Sequence, residues 1–210
     1  MCSRQVTYAV VFTLLAGSAT AWAGPIQTFT DFDQFLAAAG DVHEIDFETL
    51  PDGNPSYYLA EITPEFNYAA QGVEFFSHAP DLRICGNDTF GFCLRAGPQG
   101  SEGPPNWIIA ELVHPARAVG IVFPGHTSLS LYTTGNDFLG TWHWGGGGYF
   151  FLGAVSEQYP IGSVVVNRGY NFEAIESFHF APVPEPGSVI LLSVVGVVVA
   201  ARRHGLGPRQ

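Results

Sequence analysis

Along most of this chain apolar and polar positions alternate in short runs, the pattern of strands with one buried face. The runs cover residues 44–48, 72–77, 107–112, 118–123, 128–133, 138–144, 149–155, 163–167 and 175–180. Turn-forming residues separate many of them at intervals of roughly 8 to 12 residues, the rhythm of a β-sandwich. One segment departs from it. In 29–40, Phe32, Phe35 or Leu36, and Ala39 recur at helical spacing, with Thr30 placed as N-cap, Asp33 three residues on and Gly40 as the stop. The chain therefore reads as mainly β, a single antiparallel sandwich over residues 24–182 with one short N-terminal helix.

Two apolar stretches do not alternate. The run 8–16 follows Arg4 and leads to Ala21-Trp22-Ala23, a small-x-small site. It is too short to span a bilayer and reads as a signal peptide over 1–23, cut after Ala23. Ser18 stands where a lipoprotein box would carry its cysteine, so lipidation is not expected. The second run, 188–201, follows Pro184-Glu185-Pro186-Gly187 and precedes Arg202 and Arg203. As a helix it measures about 21 Å, against a hydrocarbon core of roughly 30 Å. Gly187 and snorkelling arginines would have to supply the rest. The arginines favour the cytoplasmic side, which leaves the domain outside.

Composition sharpens the strand reading: 25 glycines, 15 prolines and 14% aromatic residues suit many short strands and turns better than a helical bundle. Charge then narrows the partners. Between residues 24 and 182 there are 18 acids against Arg83, Arg95, Arg117 and Arg168, and the chain has no lysine. Such a surface repels phosphate backbones, so no nucleic-acid partner is expected. It suits cations, neutral sugars or solubility alone. Cys2 departs with the signal peptide, leaving Cys85 and Cys93. In an oxidising compartment this even pair predicts a disulfide closing a short turn between neighbouring strands.

The order Val183-Pro184-Glu185-Pro186, apolar helix, Arg202-Arg203 resembles the PEP-CTERM sorting signal of Gram-negative bacteria, which pairs with a cleavable signal peptide. The resemblance covers 183–210. It implies an exosortase as partner, anchoring in the inner membrane before processing, and delivery to the cell surface or extracellular matrix of exopolysaccharide-producing cells. It implies no chemistry for the domain.

A looser resemblance concerns the domain itself. Ile45-Asp46-Phe47-Glu48 with Pro51-Asp52-Gly53, Gly72-Val73-Glu74-Phe75 and the closing 172–178 are similar to the jelly rolls of galactose-binding-like and carbohydrate-binding modules. In that group, acids from the first and last strands commonly hold a structural calcium. The resemblance places Glu48 and Glu176 as those acids, with backbone carbonyls near Gly53 completing the shell. Calcium takes six to eight hard oxygens, which carboxylates and carbonyls supply.

A separate candidate lies in 141–151. Alternation places Trp142 and Trp144 on one strand face and His143 on the other, and four glycines lead to Tyr149. Exposed Trp142, Trp144 and Tyr149 would stack on sugar rings, with Asn136 and Asp137 as polar neighbours; buried, they would be core. The glycines lack the Gly-Lys-Ser/Thr ending of a phosphate loop. No G-x-S-x-G, H-E-x-x-H or paired C-x-x-C appears, and His43, His78, His114, His126, His143 and His179 are scattered singly. No catalytic residue is assigned. Two functions follow: a non-enzymatic surface or matrix protein that contacts polysaccharide, or a secreted carbohydrate-active hydrolase using two of the many acids.

Overall fold

A computed structural model describes residues 26–77, 82–87, 91–97, 107–167 and 173–183. The signal segment 1–23, the run 188–201, Pro184, Glu185, Pro186, Arg202 and Arg203 lie outside the described residues. Among the described residues no helix is long and apolar enough to cross a membrane. The elements are β1 (Gln27–Phe29), α1 (Phe32–Ala39), β2 (His43–Ile45), β3 (Val73–Ser77), β4 (Leu82–Asn87), β5 (Gly91–Ala96), β6 (Trp107–Thr133), β7 (Phe138–Val155), β8 (Ile161–Asn167), β9 (Glu173–Ile175) and β10 (Ser177–Pro182). A single 3-10 turn, Tyr68–Gln71, precedes β3.

The strands read as separate in 107–155 are joined into two long ones that bend. The first part of β6 pairs with β3 and β8, its middle with β10 and β7, and its last part with β7 and again with β8. The antiparallel sheet therefore curls into two layers. One runs β2, β10, middle of β6, end of β7, β1; the other runs β3, start of β6, β8, end of β6, start of β7. Register shifts mark the bends, notably between Pro124 and His126. There the proline needs no ladder donor and the strand turns from one layer to the other.

Apolar positions alternating along both layers face inward into one core. Val119, Ile121, Phe123, Phe178 and Phe180 meet Val73, Phe75, Ile108, Leu129, Leu131, Val164 and Val166 there. The outer face of the first layer is covered by α1, whose Phe35 and Ala39 are buried with Phe151 and Val155. Gly120 and Gly153 are paired across β6 and β7. A Cβ on Gly153 would stand 2.7 Å from both the Phe151 and the Phe35 ring, so the glycines form the slot in which those rings lie.

The helix begins one residue later than expected. Asp31, not Thr30, is its N-cap, its carboxylate accepting from Gln34 N at 2.9 Å. Gly40 closes it at φ 70°, as expected. The Arg117 guanidinium donates to the carbonyl of Ala39 at the helix end. A small sheet of β4, β5 and β9 forms its own ladder but packs Ile84, Leu94 and Ile175 into the same core, and its strands were not all foreseen. Cys85 and Cys93 face each other across β4 and β5 and form a disulfide. By chain entropy a loop this short contributes roughly 2 to 3 kcal/mol, a local clamp on the hairpin.

Candidate functional site

The bend between β6 and β7 carries the most open chemistry. Gly146, Gly147 and Gly148 stand opposite the single Gly125, because His126 pairs with Gly145 and Pro124 with Tyr149. At Gly145 the strands touch: a Cβ would lie 2.3 Å from the Gly125 carbonyl oxygen, and φ is 147°. No side chain fits there. Trp144 and Tyr149 flank this glycine bulge and are 45% and 63% exposed. A shallow open cleft of about 400 Å³ beside it is lined by His126, Thr127, His143, Trp144 and Gly145.

The expected alternation of Trp142, His143 and Trp144 is present in the register, opposite Leu129, Ser128 and Thr127 respectively. The two tryptophans nonetheless differ. Trp142 is half-buried, packs on the core and lies across Gly140, where a Cβ would be 2.7 Å from its ring. Trp144 stands two residue pairs nearer the bend and is exposed. Asn136 and Asp137 lie in the turn at the far end of this hairpin, with Asn136 at φ 65°.

The two acids singled out for calcium are brought together. Glu48 lies just beyond β2 and Glu176 in the break between β9 and β10. Burial, and then the charge of Glu48, push the Glu176 carboxyl above its ordinary value. Glu48 Oε1 accepts from Phe92 N at 3.0 Å, and its carbonyl accepts from Ser56 N at 2.9 Å. That second bond closes the hairpin 48–56, with Gly53 at its tip and Glu48 at its base. The acids fit a hard cation in charge and donor type. Among the described residues no three His, Cys, Asp or Glu side chains converge, so carbonyls and water would have to fill the shell.

A third constellation was not visible in the sequence. Ser177 Oγ lies 2.9 Å from His179 Nε2, and Glu44 Oε1 lies 3.8 Å from the same nitrogen. A catalytic triad needs the acid on one ring nitrogen and the serine on the other. Here both approach Nε2. The ring is also 2% exposed and 4.9 Å from Phe32, under the helix. These residues form a buried polar contact, not a nucleophilic centre.

No family model matches the chain, and no curated protein matches it. Three similar solved structures are sugar-related. One is a histidine mutant of the lectin binding domain of Lectinolysin complexed with Lewis b, at 9% identity and TM-score 0.33, covering 43% of this chain and 72% of that one. The family 32 CBM from C. perfringens NanJ in complex with galactose is 11% identical with TM-score 0.37, covering 51% and 92%. CBM32-3 from a family 31 glycoside hydrolase from Clostridium perfringens is 9% identical with TM-score 0.36, covering 67% and 96%. Likeness of this extent carries no argument about the ligand of this chain.

Proposed function

We propose that this chain is an exported, non-enzymatic surface or matrix protein, sorted by an exosortase, whose jelly-roll-like sandwich contacts neutral extracellular polysaccharide at the bend between β6 and β7. The observation that carries the contact is the exposure of Trp144 and Tyr149 on either side of a glycine bulge, beside a cleft with polar walls. An aromatic face with a polar rim suits a sugar, whose C–H faces are apolar and whose hydroxyls are not. The acid excess adds selectivity by repelling uronate-rich and sulfated chains. Export and sorting rest on the signal-peptide and PEP-CTERM patterns in the sequence.

Titration of the purified protein against neutral and acidic polysaccharides tests this reading. Neutral chains bind and acidic ones do not. Trp144→Ala and Tyr149→Ala each weaken binding about tenfold, about 1.4 kcal/mol, while the polysaccharide is recovered uncut. Cleaved product would replace the module with the hydrolase. Absence of binding to every neutral chain would remove the polysaccharide contact.

Calcium belongs to the same proposal as a structural ion at Glu48 and Glu176, whose mutual repulsion it would relieve. A ligand bound only to the native state stabilises it by mass action. Chelation therefore lowers the melting temperature of the wild type, and Glu48→Ala abolishes that sensitivity. A melting curve indifferent to chelator rules the ion out.

A further inference from the structure

The scattered histidines of the sequence include one pair that the fold assembles. His126 is opposite Gly145 and Ser128 is opposite His143, so the two histidines sit diagonally across neighbouring antiparallel strands. They share a face. His143 lies on the face of its direct partner Ser128, and His126, two residues before Ser128 on the same strand, lies on that face too. Diagonal cross-strand neighbours lie roughly 7 to 8 Å apart, within reach of long side chains.

Local packing favours convergence. Gly145, directly across from His126, has no side chain, and its ideal Cβ position is only 2.4 Å from His126 Cα, so the strands run unusually close at this rung. Both imidazoles are exposed, both line the same cleft, and neither has a hydrogen bond or ion pair among the described residues. Their polar neighbours are already engaged. Ser128 Oγ donates to the Asn167 carbonyl at 2.7 Å, and Ser130 and Thr141 bond each other at 2.7 Å.

We propose that His126 and His143 form a two-histidine site for a divalent transition-metal ion, filled most tightly by Cu²⁺. Imidazole suits zinc, nickel and copper, and copper stands highest in the affinity order of first-row divalent ions for nitrogen donors. Two protein ligands leave the remaining positions to water, which the open cleft admits. Calcium does not compete, since it takes hard oxygens. The site shares its cleft with the proposed polysaccharide contact, yet it rests on the two histidines and is tested without sugar.

The test is a Cu²⁺ titration of the purified protein without sugar, followed by tryptophan fluorescence and by electron paramagnetic resonance. Trp144 lines the cleft, so bound Cu²⁺ quenches its emission. The spectrum shows two equatorial nitrogens at one equivalent. His126→Asn and His143→Asn each weaken binding at least tenfold while melting as the wild type does, and His114→Asn, on the exposed surface elsewhere in β6, changes nothing. Retention of the two-nitrogen signal in the double variant His126→Asn/His143→Asn would overturn the proposal, as would no binding of Cu²⁺ by the wild type.

Discussion

Phe75→Ala is expected to lower the free energy of unfolding by about 3 to 5 kcal/mol. The ring is 1% exposed and meets Phe47, Tyr68 and Phe178 edge-on at centroid distances of 5.5, 5.8 and 5.5 Å. Phe178 belongs to the opposite layer, so this contact joins the two halves of the core. The void left by truncation cannot close easily. Asn67 accepts from Phe75 N and donates to Phe75 O, both at 2.7 Å, pinning the backbone of β3, while Tyr68 is tied to the Thr49 carbonyl at 2.9 Å. A domain of ordinary stability has about 5 to 15 kcal/mol in total, so the variant sits near the edge of folding. Urea denaturation measures the loss. Phe75→Leu, which refills part of the volume, should cost less than half as much; equal losses would mean that cavity volume does not govern this site.

Acidification from pH 6.5 to 4 should remove about 3 kcal/mol of stability through His179 alone. Burial holds this imidazole at about 4, against 6.5 in an open chain. As pH falls through 6.5 the unfolded chain takes up a proton that the folded one refuses until about 4. The contribution is therefore complete above 6.5, lost progressively down to 4, and constant below. Glu44, 3.8 Å away, favours the cation, but its side chain is 57% exposed and screened by solvent, so burial wins. Glu176 works in the opposite sense: its raised folded value makes its contribution grow as pH falls toward the ordinary 4.5. A difference measurement isolates the histidine. His179→Gln, which keeps an amide partner for Ser177, should flatten the stability profile between pH 6.5 and 4 relative to wild type. Parallel profiles would show that the ring does not titrate as argued.

Much of the fold was legible because alternation reports burial directly. The runs 107–112, 118–123, 128–133, 138–144 and 149–155 all fall within strands. Their joining into two bent strands was not legible, since continuity of a ladder through Pro124 and the glycine bulge depends on partners far away in the chain. β1 was missed because three residues carry no measurable period, and β4 and β5 were foreseen only as unbounded neighbours of the Cys85–Cys93 turn because their inward face is completed by distant segments. The helix was placed by its spacing, but Thr30 and Asp31 both can cap, and only the backbone decides which does.

The candidate site divides in the same way. Trp142 and Trp144 share a strand face, as the period of two requires, yet only Trp142 packs on the core, while Trp144 stands exposed beside the glycine bulge. His126 and His143 looked unrelated as single letters. Counting rungs back from the turn at Asn136 would have brought them together, provided that the bulge at Tyr132 and Phe138 was known. Glu48 and Glu176 approach through the closing of the whole sheet, which no local pattern reports.

The position of β10 has a consequence for the order of assembly. It lies between β2 and the middle of β6, and it is the only strand partner of β2 among the described residues. The first layer therefore cannot be completed from the N-terminus inward, because the place between β2 and β6 is filled by residues 177–182, the last of the layer's strands along the chain. Pairing of His43–Ile45 with Phe178–Phe180 closes a loop of more than a hundred residues, and non-local pairing of this kind slows folding. A chain emerging in order stays open until that strand arrives, and every truncation before Ser177 should yield an incomplete sheet with Val119 and Ile121 lacking their strand partners rather than a smaller folded domain.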